Sequence, residues 1–290
     1  MMSFVHVLIL AIVQGLAELL PVSSSAHVVV AEKLMGLDPA SPPMTLLLVM
    51  LHTGTMFAVI LYFWRQWHAT YFKSLAALKK SACRVIVATV FTAVIGGALI
   101  KIIEKTAFQG APSAEIENLF SHLELIAPAL AVGGVLILIA GIFEKRHPVE
   151  ATAGMKEVNS RQAMLIGAVQ GFCLPFRGFS RSGATISTGM LAGAAKSRAE
   201  SFSFALAVVL TPAAVAREGL RLVRAGHAAG GAGLASAIFP SLLGAILAFF
   251  AGLLALKWLS QWLEGGRWYL FGVYCLAAAA AVEALHLAGY

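Results

Sequence analysis

The side chains able to do chemistry gather in two short stretches. In QGLAELLPVSSSAHVVV, residues 14–30, Gln14 and Glu18 stand four apart and share one face of a helix, which Pro21 ends so that its last carbonyls are free. Ser23, Ser24 and Ser25 follow, where serines cap the amides of a new helix whose N-terminus favours anions, and His27 lies one turn into it. In FRGFSRSGAT, residues 176–185, Arg177 and Arg181 stand among Ser180, Ser182 and Thr185, with Gly178 and Gly183 between. Guanidinium forks, hydroxyls and backbone amides are what a phosphate needs. A carboxylate such as Glu18 suits a divalent cation shared with phosphate oxygens, the usual habit of magnesium.

These polar stretches sit in a chain built for a bilayer. Of 290 residues, 59% are hydrophobic and 12% charged, which departs from soluble domains in both directions. Apolar runs at 43–64, 83–103, 124–143, 201–216 with its flank, 234–258 and 266–287 meet the length of about 20 residues that a crossing helix needs. The chain is read as an all-α polytopic membrane protein with six spans. The first apolar run, Phe4–Leu16, lacks a basic start and a cleavage pattern and is expected to stay in the mature protein. Cys83, Cys173 and Cys275 show no metal spacing and read as packing residues.

The net charge of +7 is distributed by loop. Arg65, Lys73, Lys79, Lys80 and Arg84 occupy 65–84 without an acid, whereas 104–124 carries four glutamates against Lys105, so the first loop is placed inside and the second outside. Lys145, Arg146, Lys156 and Arg161 then fall inside. Arg217, Arg221 and Arg224 break the rule if 201–216 spans outward, unless they extend that helix to the headgroups. No aromatic platform accompanies the basic residues, and nucleic acid is excluded as a partner in favour of membrane lipid.

The two polar stretches are copies. Gln14, Gly15 and Ser24 match Gln170, Gly171 and Ser180 at a constant offset of 156 positions. Each copy is a helical run, a break, a serine-rich loop and a second short apolar run, so each reads as a re-entrant helix–loop–helix that lines a protein-enclosed or water-filled site. Three spans follow each copy, and an odd number turns the second half over. The expectation is an inverted-topology repeat within a single membrane domain, 1–290, with repeat one at about 1–145 and repeat two at about 160–290. A charge at the centre of a membrane helix costs about 2.5–3.5 kcal/mol, so Glu18 and Arg181 are expected to pair or to function. A pair that only staples the halves leaves His27 and the serines unexplained. Ser23 and Ser25 read as caps and loop formers, Glu32 and Lys33 as interface residues, His52 and Thr53 as interhelical packing that could face the same cavity, and Trp64 and Trp268 as interface anchors.

With these residues in view, the sequence resembles the bacterial undecaprenyl-diphosphate phosphatase, or bacitracin-resistance, family over nearly its whole length. QGLAELLPVSSSAH resembles the motif E/Q-x-x-x-E followed by P-V-S-S-x-x-H, and GFSRSGATIS resembles P-G-x-S-R-S-x-x-T; LHTGTMFAVILYFW and the FSF at 202–204 are also similar to family segments. The resemblance implies hydrolysis of undecaprenyl diphosphate to the monophosphate carrier of envelope glycans and phosphate, in the bacterial inner (plasma) membrane, by a site open to the periplasmic side. It also implies a divalent cation, Mg or Ca, and is compatible with a homodimer. By position, Gln14 and Glu18 fall on the acidic motif, Ser24 and His27 on the serine–histidine motif, and Ser180, Arg181, Ser182 and Thr185 on the arginine motif. The family proline is replaced by Arg177, with Pro175 two residues earlier, and Gln14 is the amide form of the first acidic position.

The expected roles follow. Glu18, Ser24, His27 and Arg181 are the candidate catalytic residues, with Glu18 on the metal. Ser180, Ser182, Thr185, Arg177 and Gln14 are candidate phosphate contacts. The nucleophile is Ser24 with His27 as base, His27 itself, or water activated by either; Ser24 is preferred because it aligns with Ser180. Two rivals use similar parts. A flippase or transporter of a polyprenyl phosphate lipid needs no nucleophile. A type 2 phosphatidic acid phosphatase needs a further histidine after Ser180 and Arg181, which the neighbourhood of Ser187 does not offer.

Overall fold

The computed structural model describes residues 3–39, 41–107, 122–146, 157–228, 232–263 and 266–290. Its helices are α1 (Phe4–Leu19), α2 (Ser24–Leu34), α3 (Pro42–Tyr71), α4 (Leu75–Ala107), α5 (Leu123–Arg146), α6 (Ser160–Cys173), α7 (Arg181–Leu191), α8 (Lys196–Ala228), α9 (Ala232–Leu263) and α10 (Trp268–Leu287), with no strand among the described residues.

Six of them, α3, α4, α5, α8, α9 and α10, contain stretches long and apolar enough to cross a membrane, as the apolar runs predict. The other four are short. At 1.5 Å per residue, the 11 residues of α2 or of α7 reach about 16 Å, half of a hydrocarbon core of about 30 Å. Their ends are set by local chemistry. The Ser3 hydroxyl accepts from the His6 amide at 3.3 Å, Pro42 opens α3 where no amide partner is needed, and Asn159 and Gln162 close a reciprocal capping box on α6.

Glycines set how the short helices dock. A Cβ on Gly15 of α1 would stand 2.4 Å from the Ala251 Cβ and 2.9 Å from the Gly252 amide nitrogen of α9. A Cβ on Gly171 of α6 would stand 2.9 Å from the Ile95 Cβ and 3.0 Å from the Gly96 amide nitrogen of α4. Every residue of the second crossing is related to one of the first by the 156-position offset: Gly15 to Gly171, Ala251 to Ile95, Gly252 to Gly96. Helix α1 thus lies on α9 as α6 lies on α4, and the third and fifth helices of each half pack on their counterparts, α3 on α8 and α5 on α10. The exchange is incomplete: α3 runs close along α9, where a Gly54 Cβ would fall 2.0 Å from the Ala245 carbonyl oxygen, whereas α4 touches α8 only lightly.

Three placements correct the sequence reading. Trp268 is 1% exposed, covered by Phe271 and by Lys196 over its ring, and its indole donates to the Ser187 hydroxyl at 3.0 Å, so it is a core residue and no interface anchor. Glu32 is 2% exposed and packed into the protein, while Leu34 at the end of the same helix is 53% exposed. Ser23 occupies the cap position of α2 but its side chain makes no cap bond, and its φ of +67° is the left-handed conformation. Of the basic residues, Arg84 is turned inward onto Glu157, and Arg217, Arg221 and Arg224 lie on the continuation of α8.

Candidate active site

The two helix–loop–helix copies meet at one carboxylate. Glu18 is on the last turn of α1 because α1 stops at Leu19, just before Pro21, and its two oxygens are shared between the halves of the chain. Arg181, the first residue of α7, donates from Nη2 to Glu18 Oε1 at 2.6 Å. Ser24, the first residue of α2, donates from Oγ to Glu18 Oε2 at 2.5 Å, and Gln14 donates from Nε2 to the same oxygen at 3.1 Å. His52 of α3 brings its Nε2 to 3.5 Å from Oε2. The ion pair links residues 163 apart and meets the expectation that Glu18 and Arg181 pair.

Two polar atoms at this centre are buried without a partner: Arg181 Nη1 and Gln14 Oε1. Buried donors and acceptors are nearly always satisfied, so an orphaned donor on a residue that lines a cleft, as Arg181 does, is a candidate ligand contact. The cleft is lined by Glu18, His52, Thr55, Arg181, Phe204 and Thr211. A phosphoryl oxygen satisfies Arg181 Nη1. Gln14, 0% exposed, lies outside the cleft lining.

The serine and threonine hydroxyls expected to contact phosphate also make bonds within the protein. Ser180 is the N-cap of α7, its hydroxyl accepting from the Gly183 amide at 3.1 Å. Ser182 donates to the Leu20 carbonyl at 3.3 Å, and the Thr185 hydroxyl lies 2.7 Å from the Arg181 carbonyl and 2.6 Å from the Ser203 hydroxyl. These three build the loop and hold α7 against α1 and α8. Arg177 is half-buried in the α6–α7 connection, where it acts electrostatically on Glu32.

His27 is placed away from Ser24. Its Nδ1 is 2.7 Å from the Ser23 carbonyl and its Nε2 is 2.7 Å from the Tyr274 hydroxyl of α10, with the two rings stacked. Both ring nitrogens are engaged, and the hydroxyl of Ser24 faces Glu18 instead. Sequence reasoning read His52 as interhelical packing that could face the same cavity and did not find Tyr274; the signal for His52 was a histidine in the apolar run LHTGTMFAV, and Tyr274 carried none.

The donor set fits a cation held jointly with a substrate and offers no complete cage. Among the described residues no three histidine, cysteine, aspartate or glutamate side chains gather as a metal cluster. The Glu18 carboxylate is the protein's charged oxygen donor here, which matches the way magnesium leans on substrate phosphates and water.

The sequence model of the Bacitracin resistance protein BacA family matches residues 7–281. The chain belongs to the BacA family. Among its relatives, Undecaprenyl-diphosphatase 2 of Acinetobacter baylyi is 55% identical over 287 residues, covering 98% of each chain. Undecaprenyl-diphosphatase 2 of Burkholderia ambifaria is 31% identical over 96% of this chain and 95% of its own. Undecaprenyl-diphosphatase 1 of Burkholderia pseudomallei is 32% identical over the same shares. The match covers both helix–loop–helix copies and five of the six apolar helices in full, and the sixth up to residue 281.

Proposed function

We propose that this multi-pass membrane protein is an undecaprenyl-diphosphate phosphatase, which hydrolyses undecaprenyl diphosphate to undecaprenyl phosphate and inorganic phosphate and so returns the lipid carrier to envelope glycan synthesis. BacA-family membership and relatives bearing that activity in their names support the reading. The observation that carries it is Glu18, gripped by Arg181 from one copy and Ser24 from the other, with an unpartnered guanidinium nitrogen beside it. A flippase needs Arg181 as counter-charge but has no use for a serine hydroxyl aimed at a carboxylate.

In the mechanism we infer, Ser24 Oγ attacks the terminal phosphorus. The bond from that phosphorus to the bridging oxygen breaks, undecaprenyl phosphate leaves with the electron pair, and the hydroxyl proton passes to Glu18 Oε2, the acceptor it already touches. Water then attacks the phosphoserine; its hydroxyl stays on phosphorus and its other proton passes to solvent, the Oγ–P bond breaks, Glu18 returns its proton to Ser24 Oγ and is again the carboxylate, and phosphate leaves. Arg181 Nη1 binds the oxygens on which charge builds, and the amides at the start of α2 face the same loop. Glu18 would hold the divalent cation, Mg or Ca, which supplies charge neutralisation for the diphosphate. His27, tied to Tyr274, fixes α2 against α10 in this arrangement.

The protein sits in the bacterial inner membrane in this reading, with the two halves inverted and the site open to the outer side. The test is phosphate release from undecaprenyl diphosphate by purified protein in detergent, where transport has no meaning. Release that falls about 10²–10³-fold in Arg181→Ala supports the assignment. Folded wild-type protein that releases none overturns it.

A further inference from the structure

The cleft beside Arg181 changes character along its length. On α3 its lining runs from His52, at Glu18, through Thr55 and Met56 to Val59. Helix α8 passes in the other direction, since Phe204 meets Phe63 while Ser201 meets Trp67, so Thr211 stands at the polar end and Phe204 at the apolar one. Beyond Val59 the two helices are sealed. Phe63 packs on Trp67 and on Phe204, with ring centres 5.7 and 5.3 Å away, all three are buried, and the Trp67 indole donates to Ser201 Oγ at 3.0 Å.

Between the seal and Arg181 the facing side chains are smaller: Thr55 and Met56 on one helix, Ala207, Val208 and Thr211 on the other. They leave open the space that aromatic rings fill further along. Thr55 and Thr211 are counterparts at the 156-position offset, and so are His52 and Val208, so the opening lies where the third helix of one half crosses the third helix of the other. Met56 and Val208 are half-buried, and Phe57 and Val209, next along each helix, are 53% and 51% exposed, so apolar surface continues from the cleft to the outside of the bundle. A second way out of the site, between α2 and α10, is closed by the His27–Tyr274 hydrogen bond and ring stack.

A polar end with an unpartnered guanidinium nitrogen, continuous with an apolar slot, matches an amphiphile that has a diphosphate head and a hydrocarbon chain. We propose that the head-proximal isoprene units of the polyprenyl substrate lie in the α3–α8 cleft against Val59 and Phe204, and that the chain leaves to the bilayer between Met56 and Val208. The inference rests on the phosphatase reading for the identity of the ligand and goes beyond it in placing the chain. From His52 to Val59 the cleft follows about 10 Å of helix, room for about two isoprene units at about 1.5 Å per carbon–carbon bond. The aromatic seal stops the chain there and turns the remainder sideways. A diphosphate without a chain gains nothing from the slot, so Met56 and Val208 set specificity for prenyl substrates.

The experiment is photo-crosslinking of the purified full chain in detergent with farnesyl methylenediphosphonate bearing a diazirine on its second isoprene unit, a probe whose carbon bridge resists hydrolysis. Mass spectrometry of the digested protein is expected to find adducts on residues 52–60 and 204–211, displaced by excess undecaprenyl diphosphate. Val208→Trp fills the slot: the adducts are expected to fall, and KM for undecaprenyl diphosphate to rise about tenfold or more with kcat kept, as loss of uniform binding does. Val209→Trp adds the same bulk on the exposed side and is expected to change neither; thermal unfolding checks that both variants are folded. Adducts on α2 and α10 in place of the cleft overturn the proposal. So do cleft adducts that undecaprenyl diphosphate does not displace, and a folded Val208→Trp with wild-type labelling and KM. Failure of the phosphatase reading would appear separately, as displaceable cleft labelling of a wild type that releases no phosphate.

Discussion

Glu18 is the residue on which the two halves converge, and its contacts give separable outcomes. Arg181→Ala removes the cation from a mostly buried carboxylate and leaves the charge uncompensated, which costs about 3–5 kcal/mol for a buried pair. The expected result is a clear fall in thermal stability in detergent, largely restored by adding Glu18→Gln, although neither variant recovers phosphate release. Ser24→Ala removes the proposed nucleophile, so quenched reactions with terminally labelled substrate should trap label on the wild type and none on the variant; label on neither sinks the covalent route. For His27, Tyr274→Phe deletes one hydrogen bond between α2 and α10, and a double-mutant cycle with His27→Ala should give a coupling of about 1 kcal/mol.

Helices α1 and α6 are placed by absence of side chains as much as by their presence. Gly15 and Gly171 let each short helix approach its long partner until backbone atoms touch, and the two contacts use residues related by one offset. Gly15→Val and Gly171→Val should therefore destabilise by similar amounts, at least about 1–3 kcal/mol, as overpacked crossings do, read from thermal unfolding of both proteins side by side. The consequence for function differs between them. Gly15 is on the helix that carries Glu18, so its variant should lose activity beyond its loss of stability, whereas α6 reaches the site only through the connection to Arg181.

For the molecule as a whole, the proposed inversion makes a topological claim. Lys79 belongs to the loop read as inside, and Arg217 to the end of a span that runs outward. In a chain whose three cysteines are replaced, a membrane-impermeant thiol reagent applied to spheroplasts should label Arg217→Cys directly and Lys79→Cys only after permeabilisation. The reverse pattern, or labelling of both from one side, would overturn the orientation. The crossing of α3 on α9 without an equally close crossing of α4 on α8 also shows that the halves are unequal partners, and the first contributes both Ser24 and His52.

The sequence by itself determined the six apolar helices, the two broken polar copies and their fixed spacing, and the meeting of Glu18 with Arg181. Those follow from local rules: apolar length, breaks at proline and glycine, and the cost of leaving a charge alone in hydrocarbon. The tertiary structure decided which neighbours each side chain has. His27 stands three residues after Ser24, close enough in sequence to be read as its base, yet its ring turns to Tyr274, 247 positions away. His52, read as interhelical packing that could face the cavity, is brought to Glu18 by the crossing of α3 on α1. Ser180, Ser182 and Thr185, read as phosphate contacts, also bond within the protein: Ser180 accepts from the Gly183 amide and keeps its own proton to donate, whereas Ser182 bonds to Leu20 and Thr185 to Ser203. Periodicity gives the face on which a residue lies, but the crossing of helices, here set by glycine contacts far apart in the chain, decides what that face meets.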